Sequence, residues 1–154
     1  MQAAKTKAAA ALAASLLVGL EGYGAKPYYD SAGVLTDCFG NTHNVALGKV
    51  RTRAECERLL HSEAGRIAVK IAKDAPDAMT MNSLAALVSW AYNVGDGAYM
   101  ESTLRRRMMA GNFVQMCEEM RRWNKITVKG KKVVLPGLNN RREKEVRLCL
   151  TPDA

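Results

Sequence analysis

The chain has 154 residues, enough for one domain with a real core, and 48% of them are apolar, which excludes a disordered polymer. Its net charge of +8 is uneven: residues 1–100 hold ten basic and nine acidic side chains, residues 101–154 thirteen and six. A basic second half suits an anionic polymer or surface, whereas nucleic acid has only the charge in its favour, with no helix-turn-helix spacing, zinc motif or aromatic RNA-binding pattern.

Lys5 and Lys7 precede 13 uncharged residues, Ala8 to Leu20, which predict a helix from about Lys5 to Gly22. The stretch is short of the roughly 20 strongly apolar residues of a stable transmembrane span. It fits three readings: a cleaved signal peptide, the first helix of the domain, or a weak signal anchor that later leaves the lipid. Cleavage near Ala14 would cut the helix that ends at Glu21. The anchor is the reading favoured, because Ala8 to Leu20 shows no polar face. Residues 1–20 are therefore a weakly hydrophobic helix and candidate anchor, and residues 21–154 a single domain.

Residues 23–47 hold Gly24, Pro27, Gly33 and Gly40 among Tyr28, Val34, Leu35 and Phe39, the pattern of a small sheet with tight turns. Thr52 and Glu55 form a capping box that opens a helix to about Lys73. Cys56, Leu59, Leu60, Ile67, Ala68 and Ile71 follow helical spacing along it, and its length suits a bridge between two lobes. Asp74 to Asp77, with Pro76, breaks it. An apolar helix then runs from about Met81 to Val94 and stops at Gly95, with Leu84, Leu87, Val88 and Ala91 as core positions. Ser102 caps a short helix ending at Gly111, and Asn112 opens another to about Trp123. Ile126 to Leu135, with Gly130 in the middle, reads as a hairpin, and a last helix spans about Asn139 to Leu150. The fold class is α+β and mostly helical, with a small sheet early in the chain.

Cys38, Cys56, Cys117 and Cys149 are widely spaced, which argues against a zinc site. An even count in a small chain suits two disulfides and an oxidising compartment such as the periplasm. Three pairings are open. Cys38–Cys56 with Cys117–Cys149 is preferred because each bridge then stays within one lobe. Four reduced, buried thiols are the competing reading.

Glu21 closes the first helix, eight residues separate it from Asp30, and five separate Asp30 from Thr36. Two carboxyl groups, one at a helix end and one in a short hairpin, can split a glycosidic bond: one protonates the leaving oxygen and the other activates water on the opposite face of the sugar. This spacing, set in Glu21-Gly22-Tyr23 and Gly33-Val34-Leu35-Thr36, resembles the phage-type lysozymes, glycoside hydrolase family 24. Trp90-Ala91-Tyr92-Asn93-Val94-Gly95 resembles that family's core helix. Pro136-Gly137-Leu138 followed by Arg141, Arg142 and Glu145 resembles its C-terminal motif. The resemblance covers about Leu20 to Leu150. The chain departs from the family at Leu35, often Trp there, and at Thr36 to Gly40, where many members carry a Gly-Tyr-Gly type turn.

The resemblance implies a lysozyme-like fold, in which a small N-terminal sheet lobe is joined by a long helix to a helical C-terminal lobe. It implies Glu21 as general acid, which must hold a proton to donate it; burial beside Leu20 and Val34 would favour that form. Asp30 is expected to stay ionised and orient water, and Thr36 to hold that water through its hydroxyl. Without the spacing, Asp30 reads as a turn-former and Thr36 as an ordinary strand residue. Asn93, Arg141 and Arg142 are expected substrate-binding residues; Arg141 or Arg142 could reach Glu21 or a sugar carboxylate, and both could equally pair with Glu145. No metal or cofactor is expected.

The implied function is an endolysin muramidase that cuts the β-1,4 bond between N-acetylmuramic acid and N-acetylglucosamine in peptidoglycan, with inversion, during host lysis. The chain is expected to act as a monomer in the host periplasm after a transient tether to the inner membrane, the signal-arrest-release device of some endolysins. The competing class is a non-catalytic cationic wall-binding or membrane-active protein, which Arg105-Arg106-Arg107-Met108-Met109 and Met120-Arg121-Arg122-Trp123 would suit. A lytic transglycosylase would need one catalytic glutamate and no Asp30.

Overall fold

A computed structural model describes residues 1–154. The elements in chain order are α1 (Ala3–Leu20), β1 (Gly24–Tyr29), β2 (Leu35–Cys38), α2 (Arg53–Asp74), α3 (Met81–Val94), α4 (Asp96–Glu101), α5 (Thr103–Met109) and α6 (Phe113–Glu119). A single 3₁₀ turn, Met120–Arg122, leads to β3 (Lys125–Val128), β4 (Lys131–Val134) and α7 (Pro136–Leu150). Two separate two-stranded antiparallel sheets, β1–β2 and β3–β4, accompany the helices.

The helix α3 is the axle. Leu84, Ala85, Ala86, Leu87, Val88 and Trp90 are all fully buried, so it is apolar all round and must be covered on every side. The helices α1, α2 and α7 cover it. Thr80 caps α3 by accepting from the Ser83 amide at 3.0 Å, and Gly95, at φ +96°, releases the chain at its end. Trp90 meets Trp123 edge-on, with ring centroids 5.4 Å apart.

Helix α1 lies in the core through Ala9, Ala13, Ala14 and Leu17, a spacing that lines up one face of a helix. Its outer face is made of small residues, among them Ala4, Ala8, Ala11 and Ser15. That explains why no polar face is visible in the sequence: alanine serves on both sides. The long helix α2 opens at the expected cap, with the Glu55 amide 3.1 Å from Thr52 Oγ1, and ends at Asp74 before Pro76.

A smaller cluster of Leu17, Cys38, Phe39, Cys56 and Leu60 joins α1, β2 and α2. Cys38 and Cys56 are bonded within it, and Cys117 and Cys149 are bonded between α6 and α7. These are the pairings that stay within one lobe. They close segments of 18 and 32 residues, which in the chain-entropy picture stabilises the fold by about 3 kcal/mol each.

Two details differ from expectation. Helix α7 begins at Pro136, three residues before Asn139, because proline is pre-organised for the first helical turn, where no N–H is required. The short helix α4 follows directly on α3, at Asp96-Gly97, where propensity is low. Its Tyr99 is buried, and the Tyr99 hydroxyl donates to Asp74 Oδ2 at 2.8 Å. Arg105 Nε donates to the same oxygen at 2.9 Å.

These contacts, that from Arg105 first, hold the Asp74 carboxyl below its ordinary value against the opposing effect of burial. A depressed carboxyl stabilises the fold above its unfolded-state value and loses that contribution as pH falls through its folded value. Asp74→Asn is expected to cost about 1 kcal/mol at neutral pH. In urea unfolding the gap between variant and parent closes as pH drops below the ordinary aspartate range.

Candidate active site

Glu21 is the residue at which α1 stops. Its amide donates to Leu17 O at 2.8 Å, and its backbone turns extended, at φ −86° and ψ 143°. The carboxylate then leaves the helix end toward α7. Arg141 Nη1 donates to Glu21 Oε1 at 2.6 Å. The partner of Glu21 is thus a guanidinium, where the sequence suggests apolar cover from Leu20 and Val34; Val34 is itself exposed. Oε2 has no hydrogen-bond partner in the protein and faces Gly40, whose φ of +83° suits only glycine. A Cβ on Gly40 would stand 3.5 Å from that oxygen.

The strands β1 and β2 carry the other two expected residues. Tyr28 pairs with Thr36, and Tyr29 with Leu35. The strands are linked by the turn Asp30–Gly33, closed by a bond from the Gly33 amide to Asp30 O at 2.9 Å. Asp30 Oδ1 accepts from the amides of Ala32 and Val34, each at 2.9 Å. One oxygen of Asp30 therefore builds the turn, while Oδ2 is without a protein partner. The Thr36 hydroxyl donates to Val34 O at 2.8 Å, which leaves its oxygen free to accept. Thr36 is 3% exposed. Burial, and then the negative charges of Glu21, Asp30 and Asp37, raise the Tyr28 hydroxyl above its ordinary value, so these carboxylates share one electrostatic neighbourhood.

Arg141 and Arg142 are both buried, and they differ in what they reach. Arg141 spans three elements: Nη1 to Glu21, Nη2 to Ser89 O at 3.0 Å, and Nε to Glu145 Oε1 at 3.0 Å. Arg142, 1% exposed, donates from Nε to Trp123 O at 2.8 Å and through its other nitrogens to Glu145 and Asn93. It is enclosed by protein acceptors, so the structure does not bring it to the cleft. Burial pulls its guanidinium below its ordinary value, with Glu145 opposing. Asn93 is exposed; its Oδ1 accepts from Arg142, and its Nδ2 has no protein partner.

Three residues outside the expected set complete the site. Glu145 is fully buried, bonded by both arginines and by Ser89 Oγ at 2.8 Å. Asp37, 1% exposed, accepts from Asn41 Nδ2 and Arg51 Nε, each at 2.7 Å, and fixes β2 directly beside Thr36. Gly40 gives the close approach to Glu21. The sequence holds a signal for two of these: the spacing of Glu145, four and three residues after the two arginines, suggests an ion pair though not its burial, and Asp37 is a strand aspartate, an unfavourable choice unless paired.

The family model for phage lysozyme matches residues 18–145. A SAR-endolysin of Pseudomonas phage phiKMV is 37% identical over 147 residues, 94% of this chain and 91% of that protein. A SAR-endolysin of Enterobacteria phage P21 is 39% identical over 137 residues, 86% of this chain and 78% of that one. Among solved structures, the endolysin from Escherichia coli O157:H7 phage FAHEc1 superposes with a TM-score of 0.82 at 34% identity, covering 93% of this chain and 94% of that one. The muramidase domain of SpmX from Asticaccaulis excentricus gives 0.84 at 26% identity, covering 91% and 95%.

Removing the charge of Glu145 leaves Arg142 buried against the neutral acceptors Trp123 O and Asn93, and Arg141 with Glu21 as its one remaining carboxylate. Glu145→Gln is expected to cost about 3 to 5 kcal/mol in denaturant unfolding. A loss below about 1 kcal/mol would show that the arginines find other partners.

Proposed function

The chain belongs to the phage lysozyme family and is a glycoside hydrolase that lyses peptidoglycan, and from that premise we propose how its residues divide the work. The observation that carries the proposal is the split use of each carboxylate: one oxygen is held by the protein and the other has no protein partner. Arg141 fixes Glu21 through Oε1, which leaves Oε2 as the oxygen from which a proton can pass to the glycosidic oxygen. Arg141 acts here as a positioning residue.

Asp30 keeps its charge and faces the developing oxocarbenium ion through Oδ2. A water between Asp30 and Thr36 donates one proton to each free oxygen and turns a lone pair to the anomeric carbon. Its attack from the face opposite the leaving group inverts that carbon. Asn93 Nδ2 faces the substrate as a donor suited to an N-acetyl carbonyl, held in place by Arg142. The bond cut is the β-1,4 link between N-acetylmuramic acid and N-acetylglucosamine, whose polyanionic polymer complements the basic second half of the chain. In this proposal the enzyme acts as a monomer. The family match does not favour the alternative of a non-catalytic cationic protein.

Helix α1 is 18 residues long with a mean hydropathy of 1.3, and the relatives named above are SAR-endolysins. We infer a transient tether to the inner membrane before the enzyme works in the host periplasm. In lipid, α1 cannot bury Ala9, Ala13 and Leu17 in the core or present Glu21 to Arg141. The same helix is thus anchor and active-site support in turn.

Glu21→Gln is expected to lose about a thousandfold in release of reducing ends from purified peptidoglycan. The first-formed ends of the parent enzyme carry the inverted, α configuration. Equal release by variant and parent would remove Glu21 from the mechanism, the β configuration would remove the opposite-face water, and anhydro-sugar ends would indicate a lytic transglycosylase.

A further inference from the structure

The ribbon β3–β4 has no part in the site described above, and its composition is unlike the rest of the chain. All eight strand residues, Lys125–Val128 and Lys131–Val134, are exposed. A lone two-stranded ribbon is marginal in water without a surface to pack on. Its register pairs Ile126 with Val133 and Val128 with Lys131 on one face, and Lys125 with Val134 and Thr127 with Lys132 on the other. Lys129 and Gly130, both at positive φ, make the two-residue turn that locks this register.

The two faces point different ways. Lys132 lines a cavity of about 290 Å³ with Glu101, Ser102, Glu119 and Trp123, so its face is turned to the body. Both faces are open to solvent, and on the face away from that cavity Ile126, Val128 and Val133 are each 40% exposed or more. No acidic residue occurs from Asn124 to Arg142, and none of the four ribbon lysines has a carboxylate partner.

We propose that this ribbon is a docking surface for an anionic lipid bilayer. Aliphatic side chains at the centre of the outer face enter the boundary of the acyl region, while Lys129 and Lys131 at the tip extend their ammonium groups to lipid phosphates. The wall polymer is the other anionic surface within reach, and the ribbon is poorly made for it. Sugar rings are held by aromatic faces and amide hydrogen bonds, and Lys125 to Leu135 contains neither type of side chain. Docking by the ribbon is separate from hydrolysis and from the tether through α1. It would keep the released enzyme at the membrane face of the periplasm.

The test is sedimentation of the full chain with vesicles containing phosphatidylglycerol, with vesicles of phosphatidylcholine alone, and with purified sacculi. The proteins compared are the parent, Ile126→Ser/Val133→Ser and Lys129→Ser/Lys131→Ser. All keep α1 unchanged, so differences between them report the ribbon, and hydrolysis of soluble glycan fragments confirms that each is folded. Each lysine at an anionic surface strengthens binding about fivefold, so the lysine variant is expected to lose about twenty-five-fold on phosphatidylglycerol vesicles. The aliphatic variant is expected to lose about tenfold there. Both should hold to sacculi as the parent does. Vesicle binding equal to the parent in both variants, no vesicle binding by the parent, or loss on sacculi in place of vesicles would each overturn the proposal. The last result would assign the ribbon to the wall polymer.

Discussion

One guanidinium group holds this enzyme's site together. Arg141, near the start of α7, is bonded at once to the end of α1 through Glu21, to α3 through the carbonyl of Ser89, and to its own helix through Glu145. Glu145 is fully buried and would be costly there without Arg141 and Arg142 on either side. Such a chain of charges contributes little net stability compared with an apolar core. What it supplies is direction, because a planar fork satisfied on three sides has few other geometries. The apolar helices bring α1, α3 and α7 near one another, and the arginine sets where Glu21 points.

That division explains the composition of α1. A core helix with large side chains would pack better, and under the proposed tether it would also be hard to extract from a bilayer. Alanines at positions 9, 13 and 14 bury a modest area, enough to seat the helix against α2 and α3 once Leu17 anchors its last turns. The helix reaches a mean hydropathy of 1.3, at the weak end for a membrane span. In the proposed sequence of tether and release, that low apolarity would let folding compete with lipid.

Much of this was legible in the sequence. The α2 cap at Thr52, the stop at Gly95 and the all-round apolarity of α3 are local signals, and they gave elements with nearly the right bounds. The spacing of Glu21, Asp30 and Thr36 was visible because a helix end and a tight hairpin are both short-range features. The role of Glu145 was less visible. Its spacing from the arginines suits an exposed ion pair equally well, and only the packing of α7 on α3 buries it. Gly40 was hidden for a similar reason, since its closeness to Glu21 is a contact between segments. The start of α7 was misplaced because the Pro-Gly pair at 136 and 137 looks like a turn, yet proline is at home in the first turn of a helix.

In the proposed mechanism Arg141 orients the acid and does not itself bind the sugar. Steady-state hydrolysis of a soluble peptidoglycan oligomer by Arg141→Lys, split into kcat and KM, tests it most directly. Lysine keeps the charge and loses the fork, so kcat should fall by a factor of ten or more, with KM nearly unchanged. A raised KM at unchanged kcat would instead make Arg141 a substrate-binding residue.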